Sequence, residues 1–142
     1  MDDVADAYDG RIYDGFGDGG LSFGDSTSNN LYVLDPAAGT WTELASATDQ
    51  RQAPGHGIVD GKLYVAGGWG SDGTVDSNLE IYDIADNTWT TGASEPAPYA
   101  GVGSAVLDGK LYLVGGCADV CGTADVSAYD PVTNTCCSPT SG

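Results

Sequence analysis

Apolar residues in this chain come in short runs, each closed by Gly, Asp or Asn. Gly57-Ile58-Val59 stops at Asp60-Gly61, and Lys62 to Ala66 stops at Gly67-Gly68. A Gly-rich loop over 69–77 leads to a third run, Asn78 to Tyr82, ended by Asp83. A turn over 84–87 precedes a fourth run, Thr88 to Thr91. Asp-Gly between two apolar runs predicts a two-residue hairpin, because both turn residues need positive φ. Nowhere do apolar residues recur at helical spacing over a helix-sized window. The pattern predicts an all-β chain with four short strands per unit.

The unit is written three times. Asp9-Gly10-Arg11-Ile12-Tyr13, Asp60-Gly61-Lys62-Leu63-Tyr64 and Asp108-Gly109-Lys110-Leu111-Tyr112 are copies of one phrase. Tyr32-Val33-Leu34-Asp35, Glu80-Ile81-Tyr82-Asp83 and Ser127-Ala128-Tyr129-Asp130 are copies of a second. Thr40-Trp41-Thr42, Thr88-Trp89-Thr90 and Thr135-Cys136-Cys137 close the units. Repeats of this period mean a propeller or a stacked array, since one unit cannot bury its own apolar face. The boundaries expected are 1–47, 48–95 and 96–142, in one continuous repeat domain.

Asp-Gly-x-Ile/Leu-Tyr, Gly-Gly, Tyr-Asp and Trp, in that order, resemble the kelch repeat, and the likeness covers essentially the whole chain. Copy two carries it most fully, with Arg51, His56, Asp60-Gly61, Tyr64, Gly67-Gly68, Tyr82-Asp83 and Trp89. The resemblance implies four-stranded antiparallel propeller blades around a central axis. It also implies that His56, following Arg51 at kelch spacing, packs against the Gly-Gly turn. Copy one departs with Asp14-Gly15-Phe16-Gly17 in place of Val65-Ala66-Gly67-Gly68. Copy three has Cys136 for tryptophan, and Tyr99 and Ser104 for the arginine and histidine.

Propellers have about four to eight blades, so three leave two raw blade faces. The chain is expected to hold whole blades, with Met1 aligned to Gln52 and Gly142 to Glu95. A head-to-tail homodimer of two three-bladed halves would close a six-bladed ring and use both faces. The competing expectation is an excerpt of a longer propeller.

The formal charge is −17, with four basic residues and 21 acidic ones, mostly aspartate. Such repulsion weakens a compact state at low salt, and molar salt screens it. The composition resembles that of halophilic proteins, with cation binding as the second explanation. Nucleic acid is an unsuitable partner, since phosphate contacts need a basic patch. No run of apolar residues is long enough to span a membrane as a helix. No charged start followed by an apolar stretch reads as a signal peptide. Extracellular space and the cytoplasm of a halophile both fit.

The four cysteines all lie in copy three. Cys117 and Cys121 are the candidate disulfide, with free thiols as the alternative. A four-sulfur zinc site fits poorly, because adjacent Cys136 and Cys137 on a strand point to opposite faces.

Binding on a propeller concentrates on its longer loops. His56, Trp69, Tyr99, Arg51 and Phe23 are the candidate contacts for a protein or glycan ligand. Asp6 and Asp14 are cation candidates near the channel, each with a solvated alternative. Asp14 should face Ala5 across its hairpin. The loop acids Asp18, Asp25, Asp72, Asp76, Asp119 and Asp125 are calcium candidates, because calcium takes several oxygen ligands. No EF-hand, Gly-x-Ser-x-Gly, His-Glu-x-x-His or phosphate-loop pattern is present. A single histidine cannot build the copper centre of galactose oxidase, a kelch-type enzyme. The expected function is a non-enzymatic module that self-associates and presents a loop face. The alternatives are a fragment of a sugar-acting enzyme and a purely structural half-propeller.

Overall fold

The computed structural model describes residues 3–17, 27–117, 121–122 and 124–141, with side chains as far as Cys136. Among them there is no helix. Three four-stranded antiparallel sheets follow one another along the chain. Sheet one is β1 (Val4–Tyr8), β2 (Arg11–Gly15), β3 (Leu31–Asp35) and β4 (Thr40–Glu43). A short pair follows, β5 (Arg51–Gln52) with β8 (Trp69–Gly70). Sheet two is β6 (Gly55–Val59), β7 (Lys62–Ala66), β9 (Leu79–Asp83) and β10 (Thr88–Thr91). Sheet three is β11 (Gly103–Leu107), β12 (Lys110–Val114), β13 (Asp125–Asp130) and β14 (Thr135–Ser141). The third strand of copy two thus lies one residue later than its apolar run predicts. The supposed loop over 69–77 also begins with two residues in a ladder.

Each hairpin turns on Asp-Gly with φ near that of a type I′ turn: 48° and 73° at Asp9-Gly10, 48° and 74° at Asp60-Gly61, 49° and 72° at Asp108-Gly109. These turns fix register, so Asp14 pairs with Ala5 as the sequence predicts. The tyrosine-aspartate phrase is tied back to the turn phrase. Lys62 Nζ donates to Asp83 Oδ2 at 2.7 Å, and Lys110 Nζ lies 3.1 Å from Asp130 Oδ2. The other oxygen of each aspartate accepts backbone N–H groups of the next turn, from Ala85 and Asp86 or from Val132 and Thr133. Those bonds hold both carboxyls below the usual range, the lysine bond first.

Strand alternation divides the core into two seams. On β7, Leu63 and Val65 point into a cluster with Val4, Tyr13, Leu31 and Val33 of sheet one. Tyr64 and Ala66 point the other way, with Leu79, against Leu111, Leu113 and Tyr129 of sheet three. Sheet two is therefore buried on both sides, and β6 lies between β1 and β11. Gly55 permits this close approach, since a Cβ there would collide with Leu113 and Val102.

The outer sheets are covered on one side only. Ile12, the counterpart of buried Leu63, is 38 % exposed. Trp41, the counterpart of Trp89, is 54 % exposed. Leu107 and Val114 stand exposed on sheet three, where their counterparts Val59 and Ala66 are buried. The sequence thus builds three seam-forming sheets and leaves two seam faces open.

Candidate functional site

The loop entering sheet two carries Arg51, which is 1 % exposed. Its Nη1 donates to the carbonyls of Gly67 at 2.9 Å and Asn78 at 3.1 Å. Its Nη2 donates to Glu80 Oε2 at 2.8 Å and Asp49 Oδ2 at 3.2 Å. Glu80 Oε1 accepts the backbone N–H of Thr48 at 2.7 Å. A buried charge has to be paired in this way. Arg51 is thus not the ligand contact expected from sequence. It binds the Gly-Gly turn to the incoming loop, the place that the kelch likeness gave to His56.

Among the described residues, sheet three has no such pair. Tyr99 and Ser127 stand at the places of Arg51 and Glu80. The carboxylate comes instead from Glu95, whose Oε2 accepts Ser127 Oγ and Cys136 Sγ, both at 3.0 Å. Tyr99 is buried, and its hydroxyl pKa is raised by burial and then by the charges of Asp125 and Glu95. It is not a surface aromatic either, because it fills the space that the arginine fills in sheet two.

His56 and Asp6 come together across the first seam. His56 Nδ1 lies 2.6 Å from Asp6 Oδ2, on neighbouring innermost strands. The His56 backbone N–H donates to Ser104 Oγ of sheet three at 3.2 Å. One residue therefore touches all three sheets. His56 also lines a cavity of about 240 Å³ with Asp3, Ala53, Pro54, Gly101 and Val102. Trp69 is partly exposed, and its six-membered ring lies against Gly101, one of the residues that line that cavity. Gly101 thus links two of the sequence candidates, sharing the cavity lining with His56 and lying against the Trp69 ring, while Phe23 falls outside the described residues.

A second, wider cleft of about 420 Å³ lies between the loops at 48–50 and 70–76, with Asp49, Asp72 and Asp76 on its walls. Asp72 Oδ1 accepts Thr74 Oγ1 at 2.6 Å and Thr74 N at 2.9 Å, which lowers its pKa. The cation candidates are scattered: Asp6 at the seam, Asp14 on the open face of sheet one, Asp72 in this cleft. Among the described residues, no three His, Cys, Asp or Glu side chains form a group that could hold a metal ion. Asp18, Asp25 and Asp119 lie outside the described residues. Asp14 is partly buried, and its pKa is raised by burial and then by the charge of Asp3. Cys117 and Cys121 are joined as a disulfide.

Sequence reasoning missed Asn87 and Asn134. Each sits at positive φ just before its fourth strand. Asn87 Oδ1 accepts Tyr82 OH at 2.7 Å and Ala45 N, just past β4, at 2.9 Å. Asn134 repeats this with Tyr129 OH and Ala93 N. The signal was legible as Asn-Thr before the closing phrase of copies two and three. Copy one has Gly39 there, on its open side.

Comparison with known proteins fits this construction of strands, Gly-Gly turns and seams. The KLHDC2/KLHL20/DRC7 Kelch-repeats domain matches over residues 7–141. No curated protein matches the sequence. The solved structure of YjhT is similar in fold, with a TM-score of 0.79 and 21 % identity. The likeness covers 99 % of this chain and 51 % of that one, so this chain spans about half the length of that protein. With a family match over nearly its whole length, the chain belongs to the kelch-repeat family, and its sheets are propeller blades.

Proposed function

We propose that this chain is a non-enzymatic kelch-type module whose three blades self-associate into a closed ring and present the long-loop face to a protein or glycan. The observation that carries it is the pair of open seam faces. Trp41 lies bare where Trp89 is covered by the preceding blade, and Leu107 and Val114 lie bare at the opposite end. One open face is the leading side of a blade and the other the trailing side, the same two sides that meet in both internal seams. A second copy placed head to tail satisfies both and returns six blades. Light scattering at molar salt tests this. A mass of twice 14.4 kDa supports the ring, and a monomer ends the self-association reading.

A fragment of a sugar-acting enzyme is the second reading, and Asp14 favours it. Burial and then the charge of Asp3 raise the pKa of its carboxyl, and a carboxyl with a raised pKa is what a general acid acting on sugars needs. Incubation with a panel of glycosides, read by reducing-sugar release, decides between the two readings.

A further inference from the structure

We propose that the cavity beside His56 receives a guanidinium side chain of a basic protein segment. This rests on the loop-face reading above and names the chemistry of its partner. The cavity presents acceptors. Asp3, an exposed acid, is one of its lining residues. His56 turns Nδ1 to Asp6 at 2.6 Å, which leaves Nε2 as the remaining polar atom of its ring. In the neutral ring with its proton on Nδ1, Nδ1–H donates to the carboxylate and Nε2 carries a lone pair. Pro54 and Val102 supply apolar wall. That combination fits a side chain with an aliphatic stem and a donor-rich cationic tip.

Two further features agree. Trp69 packs its six-membered ring on Gly101, a residue of the cavity lining, and an indole within reach of a guanidinium attracts it. The chain's charge of −17 draws cationic partners and repels acidic ones. A neutral glycan would use only the hydrogen-bonding part of this environment.

The test uses N-acetyl-arginine amide and its neutral citrulline analogue, titrated into the whole chain at pH 8 and followed by NMR. The expected result is weak saturable binding of the arginine compound, with shifts at His56, Gly101 and Trp69, and none for citrulline. Asp3→Asn should weaken it about tenfold, as loss of a charged hydrogen-bond partner does. Asp60→Asn removes the same charge from an exposed turn remote from the cavity and should leave binding unchanged. Equal losses in the two variants would reveal general electrostatic attraction and overturn the proposal, as would equal binding of citrulline. A glycan array run alongside separates the two levels. Glycan binding lost in Trp69→Ala, with no arginine binding, would sink this inference and keep the loop-face reading. Silence in both assays would remove both.

Discussion

Trp41 and Trp89 occupy the same place in successive blades, and only Trp89 is covered. The Trp89 indole donates to the carbonyl of Ala45 on the preceding blade at 2.7 Å and packs against Tyr82 and Phe16. Trp41 has the same indole but is 54 % exposed, with no other blade against it among the described residues. Trp89→Ala should cost about 3 kcal/mol of stability by emptying part of a seam. Trp41→Ala should change monomer stability by only about 0.5 kcal/mol, as surface changes do, yet abolish the proposed self-association. Urea unfolding and light scattering on both variants check this contrast. A Trp41→Ala chain that still gives the doubled mass would remove the tryptophan from the ring-closing contact.

Arg51 and Glu80 make a second asymmetry between blades. Their pair is buried, and the guanidinium also caps two carbonyls. Arg51→Ala leaves Glu80 charged and without its main partner, so it should cost about 3–5 kcal/mol. Lysine should recover only part of this, because an ammonium cannot fork between two carbonyls and two carboxylates. Removing both charges with Arg51→Met and Glu80→Leu should be milder than either single loss. Urea midpoints for the unchanged chain, these variants and the two single losses, measured at one molar-range salt concentration, provide the comparison.

These pairs mark where the sequence was readable and where it was not. The hairpins were readable, since Asp-Gly sets both φ values locally and fixes the register that places Asp14 opposite Ala5. The seams were readable as a need, because β7 is apolar on both faces. The fate of Arg51 and Tyr99 was not. Whether a polar side chain points out to a ligand or in to a carbonyl depends on what another repeat brings to it. Glu80, inside an otherwise apolar strand, was the local sign that an opposite charge must arrive. His56 shows the same limit, as its partner Asp6 lies 50 residues away on a neighbouring blade.

The disulfide closes a loop of only a few residues. On chain-entropy grounds, such a short closure stabilises by about 2 kcal/mol. Reduction should therefore lower the unfolding midpoint modestly and leave the first two blades folded. Thermal unfolding with and without dithiothreitol, with Cys117→Ser/Cys121→Ser as the control insensitive to reductant, measures it. Unfolding of the whole chain on reduction would show that blade three holds the others together.

The charge of −17 makes stability depend on salt. Between 0.1 M and 1 M salt the Debye length falls from about 10 Å to about 3 Å, so repulsion among exposed acids fades. The melting temperature should rise over that range. Asp9→Asn, Asp60→Asn and Asp108→Asn together remove three exposed charges and keep turn chemistry, because Asn-Gly suits the same type I′ turn. The triple variant should melt higher at 0.1 M salt and show a flatter salt dependence. An unchanged slope would place the salt effect in a specific site instead of in the general charge.

Asp14 gives a pH dependence with a definite sign. Its pKa is raised in the folded chain, by burial and then by Asp3, so the folded state holds this proton more tightly than the unfolded chain does. The charged form therefore works against folding. That penalty is present in full above the raised folded value. It fades as pH falls through that value and is gone below the ordinary value of 3.8. Asp14→Asn should accordingly stabilise the chain at neutral pH, with the gain shrinking to nothing as pH falls through the carboxylate range. Acids such as Asp83 and Asp130, whose pKa values are lowered, lose their contribution on acidification in both chains alike and cancel in the difference. Urea midpoints of the two chains from pH 3 to pH 7 at molar salt yield that difference. If Asp14→Asn stabilises equally at every pH, its effect lies in packing and not in charge. If it destabilises at neutral pH, the carboxylate has a partner on the open face, and the proposed ring is where that partner would be sought.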